Sequence, residues 1–138
     1  MSLDSTAARY APHAQAVLRI VSGFLFMMHG TAKLFHVPHA AMYDGVTPMS
    51  LMGLAGVIEL VGGALLIVGL FTRIAAFVLS GEMAVAYFMA HASKGDPLLP
   101  MLNQGEPAVL FCFIFLFLAA AGAGAWSIDA RRSRWWRR

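Results

Sequence analysis

The sequence predicts an all-α membrane protein, a four-helix transmembrane bundle with both termini in the cytoplasm. Of its 138 residues, 59% are hydrophobic and 12% are charged, whereas an average globular domain is about 25% charged. A water-soluble chain of this length would expose much of that apolar surface. The mean hydropathy of +0.70 therefore indicates that lipid surrounds most of the chain. The composition also excludes collagen-like and low-complexity classes.

Four segments have the roughly 20 mainly apolar residues that a helix needs to cross a bilayer. The first is longer than the core of about 7 to 15 residues in a secretory signal, which predicts an uncleaved span. The short turn at Thr72 makes the second and third spans antiparallel neighbours, and Pro107 suits the first turn of the fourth. The predicted spans are residues 16–35, 51–71, 74–92 and 107–126, within a single domain of residues 1–130.

The basic residues predict the orientation of the chain. Lys33 and Lys94 fall on one side of the predicted membrane, and the other eight basic residues fall on the side of the two termini. Because cytoplasmic flanks carry an excess of Lys and Arg, both termini are expected to be cytoplasmic. Residues 131–138 form a basic tail whose arginines and tryptophans suit the headgroup layer. Docking of a soluble partner is the alternative role for this tail.

Six ionisable side chains lie within the predicted spans, where each costs about 2.5 to 3.5 kcal/mol near the bilayer centre. They are tolerable where they face one another inside the bundle, become neutral, or line a wet cavity. The helical rise, counted from the cytoplasmic end of each span, gives the depth of each residue in the membrane. Four of the six then lie in the outer half of the membrane, and Glu82 lies closer to the cytoplasm, near the long Arg19 side chain. The six are Arg19, His29, Lys33, Glu59, Glu82 and His91.

The depth and the helical phase of these residues predict two groups. Glu59 and His29 are the candidate catalytic pair, because neither side chain is long enough to reach bulk water; a purely structural hydrogen bond between them is the alternative. Arg19 and Glu82 are expected to form a structural ion pair that fixes the helix register.

Four further side chains are candidates for substrate binding. Lys33 and His91 would be electrostatic partners of the pair, although both could instead reach the outer headgroups. Tyr87 and Phe26 would supply rings for stacking, although such rings more often face lipid or the core.

Neither a metal site nor a disulfide is expected. His36 and His39 lack a third ligand. The single cysteine, Cys112, lies in the most apolar segment, where a packing role is expected.

Three stretches carry a recognisable pattern between Arg19 and Asp129. They read RIVSGFLFMMHGTAKLF, GVIELVGGALLIVGLFTRIAAFVLSGEMAVAYFMAH and NQGEPAVLFCFIFLFLAAAGAGAWSIDA. In these stretches the chain resembles the DoxX family of small four-span bacterial and archaeal membrane proteins. The resemblance implies a multi-pass protein of the bacterial inner membrane that is linked to redox chemistry. A family resemblance predicts the fold of this chain more securely than its reaction, because one fold can carry different functions.

The leading functional expectation is a membrane subunit that binds a quinone or quinol. Quinone chemistry moves protons together with electrons, so its site needs an apolar slot and groups that exchange protons. No haem pair, CxxC motif or flavin fingerprint occurs in the sequence. Electrons would then come from a protein partner, and the chain alone is not expected to be a complete oxidoreductase.

Two alternatives belong to other functional classes. The bundle could be a non-catalytic anchor for a soluble oxidoreductase, or a small proton-coupled carrier. A carrier would need a homo-oligomer, which the small-residue faces of the helices would permit. The expected partners are the lipid membrane and a redox protein, with no nucleic acid.

Overall fold

Five α-helices account for most of the computed structural model, which describes residues 3–135. The first helix, α1, runs over Leu3–Phe35, and a short 3₁₀-helix follows at Ala41–Tyr43. Helices α2 and α3 span Leu51–Val68 and Thr72–Ala86. The third helix continues as a π-helix at Tyr87–His91 and a 3₁₀-helix at Ala92–Lys94. Helix α4 spans Glu106–Ala121, and α5 spans Ile128–Trp135.

Three of these helical segments are long and apolar enough to cross a membrane within the described residues. They are Asp4–Phe35, Leu51–Val68 and Thr72–Lys94. The predicted span over residues 16–35 is therefore the C-terminal part of a longer helix, α1. The second helix ends before residue 71 because Gly69 adopts a left-handed conformation, with φ of 68°, that glycine tolerates without strain.

Helix α4 is shorter than predicted and ends at Ala121 instead of residue 126. Its 16 residues extend for about 24 Å at about 1.5 Å per residue. Gly122 and Gly124 have φ of 92° and 67°, so the chain leaves the helical path at this point. The carbonyl groups released there are used by side chains from other helices.

The helices pack as two close pairs, α1 with α2 and α3 with α4. Glycines let α1 approach α2: a Cβ atom at Gly30 would lie 2.5 Å from the backbone nitrogen of Leu60. Phe26 connects the two pairs, because its ring packs against that of Phe115 on α4 with the centroids 4.9 Å apart. Fewer contacts join α2 to α3.

The buried guanidinium of Arg19 joins the helix ends at the α2–α3 turn, which we call the closed end. It donates to five carbonyl oxygens. Two belong to the last turn of α2, at Leu66 and Ile67, and the others to the segment after α4. The predicted ion pair between Arg19 and Glu82 is therefore wrong: the guanidinium is saturated by backbone carbonyls.

Two further side chains complete the closed end. Asp129 accepts hydrogen bonds from the backbone nitrogens of Phe71 and Thr72, at 3.0 and 2.9 Å, and so caps the start of α3. Arg73 in turn donates to the last carbonyls of α4, including that of Ala119 at 2.9 Å. Helix α5 carries the first part of the predicted basic tail, and residues 136–138 of that tail lie outside the described residues.

We expect Arg19→Met to destabilise the protein strongly. Removing one partner of a buried hydrogen bond leaves the other unsatisfied at a cost of about 1 to 3 kcal/mol, and Arg19 serves five carbonyls. A thiol-reactive dye that labels the half-buried Cys112 would follow thermal unfolding in detergent. Arg9→Met, at an exposed position of the same helix, is the matched control. Equal midpoints for the two variants would contradict the structural role of Arg19.

Candidate functional site

An ion pair between Lys33 and Glu59 lies inside the bundle, toward the end opposite the α2–α3 turn. Lys33 is in the last turn of α1, and its Nζ donates to Oε1 of Glu59 at 2.6 Å. Their side chains are only 8% and 3% exposed. Lys33 therefore does not extend to a headgroup layer, because its charge is held by a carboxylate on α2.

Tyr43 covers this ion pair from the loop between α1 and α2. The ammonium of Lys33 lies 5.5 Å from the centroid of its ring, which is a favourable cation–π distance. Burial, with a smaller contribution from the negative charge of Glu59, raises the pKa of Tyr43 above its usual value. The tyrosine hydroxyl therefore stays protonated at neutral pH and is available as a donor.

His29 is exposed and is not bonded to Glu59. Its Nδ1 lies 3.4 Å from the hydroxyl of Tyr43, while Glu59 is paired with Lys33. The alternative of a direct structural hydrogen bond between Glu59 and His29 is therefore wrong, whereas their catalytic roles stay a prediction. Tyr43, which the sequence reasoning missed, contacts His29 through its hydroxyl and Lys33 through its ring. Its position in a loop rich in turn residues gave no periodic signal that could have placed it there.

A cavity of about 470 Å³ lies between α2 and α3 and reaches the ion pair. Its walls are apolar except for Lys33, Glu59 and Glu82. Several wall residues, including Leu54, Val78 and Val85, are exposed on the outside of the bundle. The cavity thus opens sideways through an apolar rim, toward the surface that would contact lipid.

Two residues that line this cavity carry three buried carboxylate oxygens with no hydrogen-bond partner in the described part of the chain. They are Oε2 of Glu59 and both oxygens of Glu82. Glu82 lines the same cavity as Glu59 and Lys33. The structure therefore places Glu82 with the ion pair and not with Arg19. Buried polar atoms are nearly always satisfied in folded proteins, so these oxygens distinguish the cavity from ordinary packing space.

The remaining predicted binding residues lie outside the cavity lining. Tyr87 donates to the carbonyl of Pro97 at 2.7 Å and accepts from Nδ2 of Asn103 at 3.1 Å. His91 stacks on Tyr87, and its Nδ1 lies 3.2 Å from the carbonyl oxygen of Asn103. These residues hold the loop between α3 and α4. Phe26 is a core residue, so the predicted substrate-binding set is not brought together.

No group of three His, Cys, Asp or Glu side chains that could hold a metal occurs within residues 3–135. His39 instead contacts Asp44 at 2.9 Å on the surface. Cys112 packs beside α3, where the hydroxyl of Ser80 donates to its backbone carbonyl at 2.9 Å.

The apolar helices and the sideways-opening cavity define an α-helical membrane protein. The sequence profile named DoxX matches residues 14–92, a range that includes Lys33, Glu59 and Glu82. An uncharacterised protein of Haemophilus influenzae is 47% identical over 123 residues, which cover 88% of this chain and 92% of that protein. The chain belongs to the DoxX family. No solved structure matches it.

The ion pair can be tested by removing its members singly and together. Lys33→Met leaves the buried Glu59 carboxylate uncompensated, which should cost about 3 to 5 kcal/mol of unfolding free energy. Lys33→Met combined with Glu59→Leu should recover most of that loss, because neither charge remains. The measurement is unfolding in detergent for both single variants and the double variant. A double variant as unstable as the sum of the singles would contradict a coupled pair.

Proposed function

We propose that the protein is a membrane subunit of a redox system that binds a quinone or quinol in the cavity between α2 and α3. The observation that carries this proposal is the combination of a sideways opening, apolar walls and ionisable groups at one place. A lipid-soluble ligand would enter from the bilayer without crossing water. The volume of about 470 Å³ is within the range of about 300 to 1,000 Å³ common for small-molecule sites.

The ionisable residues supply what quinone chemistry needs from a protein. A bound quinone supplies two-electron chemistry that is accompanied by proton exchange. Lys33 has donor hydrogens beyond the one given to Glu59 and can orient a ring oxygen. Glu59 and Glu82 can hold or release a proton inside the cavity. The sequence has no haem pair, CxxC motif or flavin fingerprint. We therefore propose that a protein partner supplies the electrons.

We also propose a proton path between the cavity and the outside of the bundle. Tyr43 covers Lys33, and its hydroxyl lies 3.4 Å from the exposed His29. A hydroxyl both donates and accepts, and histidine changes charge near neutral pH. We assign Tyr43 and His29 to this path, with His29 as its outer member. His29 is thus a proton-exchange residue and not a direct partner of Glu59.

For the membrane arrangement we propose four spans, with both termini in the cytoplasm of the bacterial cell and the protein in the inner membrane. The closed end would face the cytoplasm, because cytoplasmic flanks are rich in Arg and Lys. It carries Arg19 of α1, Arg73 of α3, and Arg131 and Arg132 of α5. Helix α4 is shorter than the hydrocarbon layer of about 30 Å. Arg73, which caps its last carbonyls, would meet the headgroup region there by snorkelling.

Quinone binding is the central test. The protein purified in mild detergent should carry extractable quinone and should bind a short-chain quinone analogue. Gly81 lines the cavity, and a Cβ atom there would meet no atom within 4 Å, so Gly81→Leu should fill the cavity without disturbing the fold. We expect it to weaken binding at least tenfold. Ala64→Leu, at an exposed position of α2 outside the cavity lining, is the matched control.

Two results would contradict the proposal of a quinone bound in this cavity. One is purified protein that neither carries quinone nor binds the analogue, which would leave the anchor as the better function. The other is unchanged affinity in Gly81→Leu, which would move the site elsewhere.

The orientation is tested with single cysteines in a Cys112→Ala background. Leu98→Cys lies in the exposed loop between α3 and α4, and Ala8→Cys lies at an exposed position near the start of α1. A membrane-impermeant maleimide added to spheroplasts should label Leu98→Cys at once and Ala8→Cys only after lysis. The reverse labelling order would invert the proposed topology.

A further inference from the structure

The chemistry of the cavity also bears on which form of the ligand it holds, an inference that rests on the proposed function. Glu59 and Glu82 line the cavity, and three of their carboxylate oxygens are buried without a donor. A carboxyl group binds at most one proton, and one oxygen of Glu59 is already paired with Lys33. Even with Glu82 protonated, acceptor positions remain unsatisfied. A complementary ligand must therefore bring hydrogen-bond donors.

The oxidised and reduced ligands differ in this property. The ring oxygens of a quinone are carbonyls and only accept, whereas those of a quinol are hydroxyls that donate and accept. A quinone can accept from the spare hydrogens of Lys33, but it leaves the unpartnered oxygens of Glu59 and Glu82 without a donor. A quinol would instead give a hydroxyl hydrogen to an unpartnered carboxylate oxygen, and such charge-assisted bonds are roughly twice as strong as neutral ones.

Gly81 supports an occupant beside Glu82. A glycine inside a helix costs about 1 kcal/mol relative to alanine. Gly56, Gly62 and Gly63 are explained by close packing, because a Cβ atom at each would lie 3.0 Å or less from a neighbouring residue. Gly81 has open space instead. Its bare backbone faces the cavity and gives a flat ring room to approach the helix that carries Glu82.

From these observations we infer that the cavity selects the reduced ligand, a hydroquinone whose hydroxyl donates to Glu82 or Glu59. Lys33 then stabilises the negative charge of Glu59 while that carboxylate accepts from the ligand. The cavity acts as a donor-selective site in which the redox state of the ring decides the affinity.

The test compares the two redox forms of one short-chain analogue. Equilibrium dialysis of the full-length protein in detergent, under anaerobic conditions, would give a dissociation constant for each form. We expect the quinol to bind at least about tenfold more tightly than the quinone. For a two-electron couple, a tenfold preference raises the midpoint potential of the bound analogue by about 30 mV, which a redox titration measures independently.

Two variants connect this preference to the carboxyl groups. Glu82→Gln keeps the shape but introduces an amide that donates two hydrogens, so it should shrink the preference severalfold while leaving the unfolding midpoint unchanged. Glu106→Gln, at an exposed position in the first turn of α4, is the control and should keep the full preference. An equal loss in both variants would overturn the role of Glu82.

The outcomes separate this inference from the proposed function. Tight binding of both forms with equal affinity would overturn the donor selectivity and leave quinone binding intact. Binding of neither form would reject the proposed function itself. A lipophilic primary amine is the third probe: if it binds more tightly than the quinol, the cavity selects positive charge, and the hydroxyl assignment is wrong.

Discussion

The buried guanidinium of Arg19 is the interaction on which the arrangement of the bundle depends. Within a span, a charge is tolerated only when the protein replaces its water, and here five backbone carbonyls do so. These carbonyls belong to the end of α2 and to the segment after α4. One side chain of α1 therefore fixes the ends of two other helices. Asp129 lies just beyond that segment and caps α3, which brings α3 into the same network.

Closure of one end explains why a cavity exists at the other. The turn at Gly69 joins α2 to α3 directly, and the network around Arg19 holds that turn in place. Nothing comparable joins α2 and α3 at their opposite ends within the described residues. There α2 packs on α1, α3 packs on α4, and the cavity lies between the two pairs. Lys33 and Glu59 belong to one pair and Glu82 to the other, so the polar cluster forms only where the pairs face each other.

The sequence alone predicts the helical class, the family and the ionisable residues within the apolar helices. It does not predict which of those residues contact one another. Hydropathy and length locate apolar helices, and the cost of burying charge marks Arg19, Lys33, Glu59 and Glu82 as exceptional. Helical phase gives the face of one helix but not its rotation toward a neighbour, so the sequence predicts Arg19 beside Glu82 and Glu59 beside His29, and the structure shows other partners. The early end of α4 depends on carbonyls bound by Arg19 and Arg73. Such long-range contacts have no periodic signature in the sequence.

The two buried cations differ in a way that separates folding from function. The partners of Arg19 are backbone carbonyls, which no substitution removes, so the fold requires a donor at this position. The partner of Lys33 is the side chain of Glu59, and both charges could be replaced together by apolar residues. Buried ion pairs are often no more stabilising than such replacements. The fold therefore gives no reason for Lys33 and Glu59, or for the unpartnered carboxyl of Glu82. A ligand whose polar end fits among them does give a reason, and for this reason we propose the cavity as the functional centre of the protein.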